Sequence, residues 1–256
     1  MEKEQPPAPQ ASLLAALDLN CDLGEGEPPA QTEALMAHIT SANIACGGHA
    51  GGDEAMRHSI SLALARGVRI GAHPGLPGLF GRAEAAMGSE EFTQLLEDQL
   101  GRFQAHLRRA GATLHHLKLH GALYHLTERD AALRGAYVAF VQKRAPEAVI
   151  YALAGGKTVA AAREAGLTAW DEAFGDRGYR GDGSLVPRGE PGALLTDPAA
   201  VAARVREIAA GQITPVGGGP PFWLQAQTVC VHGDSPGSPT LLRAAAHSLK
   251  MLDTPA

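Results

Sequence analysis

Side chains suited to proton transfer stand where short apolar segments of the chain give way to glycine-rich turns. Asp22 and Glu25 follow the alternating apolar segment 17–20, and His73 ends another apolar segment just before a Pro-Gly turn. Carboxylates and imidazoles are the groups that enzymes most often use as general acids and bases. Because glycine allows a tight turn, we expect these side chains to point into a cleft instead of along a sheet.

Lys118 and His120 continue this pattern at a later strand. They lie two residues apart, so in an extended strand both side chains face the same side. A lysine directed into a barrel has to be paired or functional, because burying an isolated charge is costly. With Asp22, Glu25 and His73 they supply a general acid, a general base and a stabiliser for an oxyanion, and these five residues form the predicted catalytic set.

Further polar residues near strand ends are predicted to bind the substrate. They are Asn20, Asn43, His49, Glu172, Asp176, Arg177, Arg188, His232 and Asp234. Structural alternatives stay open for single residues: a lone histidine in a loop is more often a hydrogen-bonded scaffold residue. Asp22 and Glu25 also suit the capping of a turn, and Asp176 with Arg177 also suits a loop-bracing ion pair. The convergence of many such groups favours a functional site.

The elements that position these residues alternate between strand-like and helix-like segments. The predicted strands are 17–20, 39–45, 68–72, 113–118, 149–153, 168–172 and 227–231. The predicted helices are 31–37, 53–66, 89–110, 130–144, 158–165, 197–210 and 238–252, with a long polar loop at 173–190. About seven strand–helix units predict a parallel β/α architecture, either a closed barrel or an open doubly wound sheet. Nearly every strand end carries polar residues, which favours the barrel, since all its strands open onto one mouth.

Composition restricts the classes of partner. The 256 residues carry a formal net charge of −5, so we expect no nucleic-acid binding, and no run of about 18 apolar residues suggests a membrane span. Three widely spaced cysteines argue against a disulfide framework or a thiolate zinc site and suit the cytoplasm. We expect residues 1–14 to be a disordered head and residues 15–256 a single barrel domain.

One glycine-rich turn is similar to the end of a phosphate-binding loop. Residues 154–158 read Ala-Gly-Gly-Lys-Thr between a strand and a helix, but the first glycine of the pattern is replaced by Tyr151. We interpret it as an ordinary turn whose helix N-terminus still suits an anion.

Six segments in the same order resemble the LamB/YcsF family of 5-oxoprolinase A subunits. They are residues 18–26, 41–47 with 49–51, 71–75, 120–124, 176–177 with 182–183 and 185–188, and 230–234. The resemblance implies a distorted TIM-like (β/α) barrel akin to the glycoside hydrolase/deacetylase group. It also implies ATP-driven hydrolysis of 5-oxo-L-proline to L-glutamate together with subunits B and C. ATP would be a co-substrate that a partner subunit binds or shares.

A mechanism follows as a hypothesis from this resemblance. Asp22 or Glu25 positions a water molecule or accepts its proton. His73 and His120 move protons, and Lys118 holds anionic oxygens.

The substrate's carboxylate is assigned to Arg188 and Asn43 in the same hypothesis. The chain departs from the family pattern at Gly52, Leu76, Gly78 and Leu119, so we expect the pocket rim and the substrate preference to differ. Two alternatives remain open. One is an N-deacetylase-like amidohydrolase whose Asp and two His residues bind a catalytic divalent metal. The other is a noncatalytic docking subunit whose polar mouth only binds a partner.

Overall fold

The computed structural model describes residues 17–78 and 87–252, and the predicted disordered head lies outside them. Seven parallel strands close into a barrel in the order β1-β2-β3-β4-β5-β6-β9, which confirms the predicted architecture. The strands are β1 (Asp18–Leu23), β2 (Ser41–Ala45), β3 (Arg69–His73), β4 (His116–Lys118), β5 (Val149–Leu153), β6 (Ala169–Phe174), β7 (Gln212–Ile213), β8 (Phe222–Trp223) and β9 (Thr228–Cys230). The two short strands outside the barrel, β7 and β8, pair with each other in antiparallel fashion.

Helices surround the barrel. They are α1 (Pro29–Met36), α2 (Asp53–Arg66), α3 (Ser89–Ala110), α4 (Gly121–Arg129), α5 (Ala131–Arg144), α6 (Lys157–Glu164), α7 (Pro198–Ala209) and α8 (Ser238–Leu252). In α3, apolar residues three or four positions apart form one buried face against the barrel, as an amphipathic helix requires. Within residues 17–78 and 87–252, no helix is both long enough and apolar enough to cross a membrane.

The barrel interior is polar. Along β1, Asp18, Asn20 and Asp22 alternate with three apolar residues of the hydrophobic core, and all six are buried. At the N-terminal end of the barrel, the Asp18 carboxylate accepts hydrogen bonds from Tyr151 Oη at 3.2 Å and Thr228 Oγ1 at 2.6 Å. Hydrogen-bonded layers therefore take the place of the branched apolar side chains that usually fill such a barrel.

Two features differ from the pattern predicted from the sequence. The sequence pattern predicts no helix between the fourth strand and residue 130, but His120 is the N-cap residue of α4 and the helix runs to Arg129. The β7–β8 hairpin consists of two-residue strands, which are too short to leave a period-two signal.

Asp130, between α4 and α5, caps helix α5, since its carboxylate accepts hydrogen bonds from the backbone N–H groups of Ala132 and Leu133.

Candidate active site

A pocket of about 410 Å³ opens at the C-terminal ends of the barrel strands. Four of the five predicted catalytic residues line it, namely Asp22, His73, Lys118 and His120. Three predicted substrate-binding residues also line it: Arg177, Arg188 and His232. The structure thus brings together groups that are up to about two hundred residues apart in sequence, because all their parent strands end at the same mouth.

Lys118, at the end of β4, is the central cation of the pocket floor. Its ammonium lies 2.9 Å from Asp22 Oδ1, 3.1 Å from Glu172 Oε1 and 3.3 Å from Asn20 Oδ1, and its side chain is only 3% exposed. It also donates to Cys230 Sγ at 3.1 Å. Burial alone would lower the pKa of Lys118, but the two carboxylates and Cys230 hold it well above its ordinary value. The group is therefore a permanent positive charge that two buried carboxylates share.

Asp22 is paired with Lys118 and lines the pocket. Burial would raise its pKa, but His73 and Lys118 hold the pKa well below its usual range, so the group is ionised at neutral pH. Asn43, opposite Asp22 in the register between β1 and β2, donates to Asp22 Oδ1 at 2.8 Å and to Asn20 Oδ1 at 2.7 Å. These contacts fix the carboxylate's orientation from below.

Three of the predicted substrate-binding residues form the layer beneath the pocket. Asn20, Asn43 and Glu172 are completely buried. The Asn20 side chain donates to Glu172 Oε1 at 2.9 Å, and His116 Nε2 lies 2.7 Å from Asn43 Oδ1. Sequence reasoning missed His116, which stands in a strand without a neighbouring glycine turn. This layer orients Asp22 and Lys118.

Beside the pocket floor, one carboxylate and three imidazoles converge from four consecutive strands. Glu25 follows β1, His49 follows β2, His73 ends β3 and His120 follows β4. Glu25 Oε1 lies 2.8 Å from His49 Nε2 and 3.2 Å from His120 Nδ1, and His120 Nδ1 lies 2.9 Å from His73 Nε2. One nitrogen or oxygen from each residue falls within 4.8 Å of all the others, which is a grouping of metal-ligand type.

Burial and mutual contacts set the ionisation of Glu25, His49 and His120. Burial lowers the pKa of His49 to about 4, and it also lowers the pKa of His120. Burial would raise the pKa of Glu25, but hydrogen bonds from His120 and His49 bring it below its usual range. At neutral pH the ionised Glu25 carboxylate is therefore held by the neutral imidazoles of His49 and His120.

Close backbone packing holds the imidazoles in place. His73 Nδ1 donates to the carbonyl oxygen of Lys118 at 2.8 Å. Gln99 of α3 clamps the next turn, because its amide accepts from Gly75 N at 3.0 Å and donates to Gly75 O at 2.8 Å. A Cβ atom at Gly75 would overlap the His49 ring, so glycine is required there.

The loop after β6 contributes a second buried carboxylate. Asp176 accepts hydrogen bonds from the backbone N–H of His232 at 3.1 Å and from its Nδ1 at 2.9 Å. Burial would raise the pKa of Asp176, but His232 lowers it below the usual value. Arg177 donates to the carbonyl oxygens of Val186 and Ala193, which braces the loop. The Asp176 carboxylate thus orients His232.

The outer rim of the pocket is cationic. Arg129 and His125 of α4 line it together with Arg188, whose Nη1 lies 3.7 Å from Asp234 Oδ2. The Tyr124 hydroxyl is buried and has no hydrogen-bond partner among the described residues. Sequence reasoning missed Arg129 and His125 as site residues, and only a helical interpretation of 121–129 would have placed them at the mouth.

Two capping roles fall to glutamates that the sequence did not indicate. Glu27 accepts from the backbone N–H groups of Gly24 and Glu25, so Glu27 braces the turn and the Glu25 side chain remains available to the histidines. Glu128 of α4 accepts from the N–H groups of Lys157 and Thr158 at 2.7 and 3.1 Å. The helix N-terminus in the turn 154–158 is therefore already bound to a carboxylate.

Asp53, which follows the departure from the family pattern at Gly52, is not among the residues that line the pocket. It accepts from Arg102 Nε at 2.8 Å and lies 3.0 Å from His106 Nε2, and both partners belong to α3. Asp53 thus ties α2 to α3. Leu119, another departure, does line the pocket.

Comparisons with known proteins agree with the resemblance that the six segments predicted. A relative from Heliobacterium modesticaldum, named as the A subunit of 5-oxoprolinase, is 42% identical over 239 residues, which cover 91% of this chain and 94% of that protein. The solved structure of the lactam utilization protein from Thermus thermophilus has a TM-score of 0.84 at 36% identity, covering 93% of this chain and 97% of that one. An uncharacterized protein from Agrobacterium tumefaciens, with a TM-score of 0.52 at 14% identity over 94% of this chain and 85% of its own, shares the fold alone. The family profile of LamB/YcsF matches residues 17–254, and the chain therefore belongs to the LamB/YcsF family.

Proposed function

We propose that this chain is the component of an ATP-dependent 5-oxoprolinase in which the lactam ring of 5-oxo-L-proline opens to give L-glutamate, together with partner subunits B and C. The names of the two similar proteins, one an A subunit of 5-oxoprolinase and the other a lactam utilization protein, support this class of substrate. The observation that carries the proposal is the convergence of an ionised carboxylate, a buried ammonium and arginines on one pocket.

The chemistry of the lactam explains why ATP is needed. The ring nitrogen donates electrons into the carbonyl group and makes the carbon a poor electrophile. Phosphorylation of the carbonyl oxygen gives an O-phosphorylated imidate, in which a C=N bond replaces the amide resonance. Water adds to this carbon, the ring nitrogen takes up a proton and the ring C–N bond breaks to give an acyl phosphate. A second water hydrolyses the acyl phosphate to the carboxylate of glutamate and inorganic phosphate. The pocket then has to orient water and bind an anionic substrate.

Asp22 has the position and charge to orient the attacking water. Its strongly lowered pKa makes it a weak base, so its main contribution is to hold the water in place and to stabilise positive charge that develops on it. Lys118 keeps Asp22 ionised and offers its positive charge to the oxygen that becomes anionic. Tyr124 can donate its hydroxyl hydrogen to the substrate, because burial and Glu172 raise its pKa well above the ordinary value.

The cationic rim suits the negative groups of the substrate. Arg188 and Arg129 lie at the mouth, where either guanidinium can bind a carboxylate or a phosphoryl group through charge-assisted hydrogen bonds. Because Asn43 is buried beneath the floor, we assign it to the orientation of Asp22 instead of the substrate's carboxylate.

We assign the binding of ATP to a partner subunit. The turn 154–158, which most resembles a phosphate-binding loop in this sequence, has its helix N–H groups occupied by Glu128. A triphosphate at this turn would face a carboxylate of the same sign. This supports an enzyme in which another chain phosphorylates the lactam.

Reconstitution tests the proposal. The chain is mixed with its partner subunits, 5-oxoproline and ATP, and glutamate is followed while each component is omitted in turn. Glutamate should form only in the complete mixture. Asp22→Asn should abolish turnover and leave the circular dichroism spectrum unchanged, whereas Asp182→Asn, in an exposed loop, should behave as wild type.

Two results would refute this function. Full turnover by Asp22→Asn in an assembled complex would indicate a docking subunit whose chemistry lies elsewhere. Hydrolysis of an acetylated amide without ATP, lost on chelation, would indicate a metal-dependent deacetylase.

A further inference from the structure

We propose that Glu25, His49, His73 and His120 form a binding site for one divalent transition-metal ion of the zinc type. The four side chains come from the ends of four consecutive strands, and His49, His73 and His120 are buried. Three imidazole nitrogens and one carboxylate oxygen are a donor set that suits Zn²⁺, Co²⁺ or Ni²⁺ better than Mg²⁺ or Ca²⁺.

Four of the distances between the donor atoms are close to those around a bound ion, and the His49 and His120 rings, which stack in parallel with centroids 3.7 Å apart, would turn relative to each other to direct both nitrogens at it. Metal–ligand bonds of about 2.0–2.1 Å in a tetrahedron separate the ligand atoms by about 3.3 Å. The observed separations are 2.8 Å from Glu25 Oε1 to His49 Nε2, 3.2 Å to His120 Nδ1 and 3.7 Å to His73 Nε2. His120 Nδ1 and His73 Nε2 are 2.9 Å apart. These values scatter around the tetrahedral edge.

The ring nitrogens of this group crowd one carboxylate and one another. His73 Nδ1 donates to the carbonyl oxygen of Lys118 at 2.8 Å, so Nε2 is the nitrogen of that ring that faces the group. His73 Nε2 lies 3.7 Å from Glu25 Oε1 and 3.5 Å from Asp22 Oδ2. His120 Nδ1 has two neighbours, Glu25 Oε1 at 3.2 Å and His73 Nε2 at 2.9 Å, and an ion at the centre would accept a lone pair from all four residues.

The surroundings of His73 are those of a metal ligand. A ligating histidine usually donates its other ring N–H to a carbonyl or carboxylate, which fixes the tautomer and the ring orientation. His73 does so through the Lys118 carbonyl. The turn that follows it is clamped by Gln99 and packs against the His49 ring through Gly75, so two of the ligands are held by one rigid turn.

A second grouping of ligand type nearby is already satisfied. Asp22, Cys230 and His232 also bring one ligand atom each within 4.8 Å. The Lys118 ammonium donates to Asp22 Oδ1 and to Cys230 Sγ, so a cation is already present there. His232 Nδ1 is bound to Asp176. We therefore assign the ion to the first group alone.

Metal analysis of the isolated full chain tests this site without ATP or partner subunits. The protein is treated with a chelator, dialysed and titrated with Co²⁺ or Zn²⁺, and bound metal is counted by plasma mass spectrometry. We expect one equivalent per chain, intense visible bands typical of four-coordinate Co²⁺ and a raised melting temperature. Glu25→Gln and His49→Gln should each weaken binding at least about 10-fold.

His247→Gln, at an exposed histidine of α8, is the matched control and should bind as wild type. Equal loss in His247→Gln, or no stoichiometric binding by the wild-type chain, would overturn the site. If His49→Gln does not fold, Glu25→Gln, which keeps the size of the side chain, decides the question. Because binding is read without turnover, its failure leaves the oxoprolinase assay standing, and a failed assay with intact binding removes only the proposed function.

Discussion

Removal of the Lys118 ammonium should be among the most damaging single changes in the barrel. Lys118→Met keeps the length of the side chain and deletes the charge that lies 2.9 Å from Asp22 and 3.1 Å from Glu172. Both carboxylates would then remain buried without their cation. Breaking one partner out of a buried ion pair typically costs about 3–5 kcal/mol.

The expected shift is large enough for a simple assay. With a urea slope of about 3 kcal/mol per molar, a loss of about 3–5 kcal/mol moves the unfolding midpoint down by about 1–1.7 M. Urea titrations of wild type and Lys118→Met, followed by circular dichroism at pH 7, measure this shift directly. The double variant Lys118→Met/Glu172→Gln neutralises one stranded carboxylate and should recover part of the loss, which a double-mutant cycle quantifies.

The same variant has a predictable dependence on pH. In the wild-type protein the pKa of Asp22 lies well below its unfolded value, so its stabilising contribution is present above about pH 4 and is lost as the pH falls through the folded pKa. Without Lys118 the folded pKa rises, and protonation relieves the penalty. The difference in unfolding free energy between wild type and Lys118→Met should therefore become smaller as the pH is lowered from 7 to 4. A loss under about 1 kcal/mol at pH 7, or no recovery in the double variant, would refute the shared-charge reasoning.

Three further changes test other parts of the site. Asp176→Asn should cost about 1–3 kcal/mol of unfolding free energy at pH 7, because it weakens the hydrogen bond to His232. The folded pKa of Asp176 lies below its unfolded value, so the difference in unfolding free energy between wild type and Asp176→Asn, measured by urea titration, should disappear below about pH 4. Gly75→Ala should lower the melting temperature and cost about 1–3 kcal/mol, because the added methyl group overlaps the His49 ring. Arg188→Ala should raise KM for oxoproline about 10-fold or more in the reconstituted enzyme while kcat changes little, if its guanidinium binds the substrate's carboxylate.

Matched variants separate these effects from general damage. Asp98→Asn, at an exposed position of α3, should leave the pH profile of stability as in wild type. A difference in unfolding free energy between wild type and Asp176→Asn that stays constant down to pH 3 would contradict the linkage. Gly101→Ala, in the open interior of α3, should be neutral or stabilising. Arg180→Ala removes an exposed guanidinium paired with Glu190 and should keep KM; an equal rise in KM would show that the loss at Arg188 is not specific.

The sequence alone was enough to predict the barrel and the convergence of its polar groups. Asp22, His73 and Lys118 stand at strand ends, and the ends of parallel strands share one mouth whatever the exact register. The layer beneath was not predictable. Asn43 meets Asp22 only because β1 and β2 pair in one particular register, and His116 reaches that layer from a strand that carries no turn signal. Such pairings depend on the stagger of the whole barrel.

Local competition accounts for the remaining differences. Glu27, not Asp22 or Glu25, caps the first turn: its carboxylate accepts from two backbone N–H groups, while Asp22 contacts Lys118 and Glu25 contacts His49. The sequence pattern predicts no helix at 121–129, because the first residue of α4 is a glycine at φ 51°, which is typical of a turn. Because α4 carries His125 and Arg129 of the pocket rim, neither residue could be predicted without predicting that helix.

The Glu128 carboxylate occupies the position at the N-terminus of α6 where a nucleotide's phosphate could otherwise bind. This carboxylate accepts hydrogen bonds from the same kind of backbone N–H groups that a phosphate-binding loop offers, and the helix that carries it, α4, also lines the pocket. A polyphosphate could bind there only after displacing the Glu128 carboxylate, which is covalently part of the protein. In the function that we propose, this chain hydrolyses an activated substrate, and a partner subunit supplies the energy of ATP.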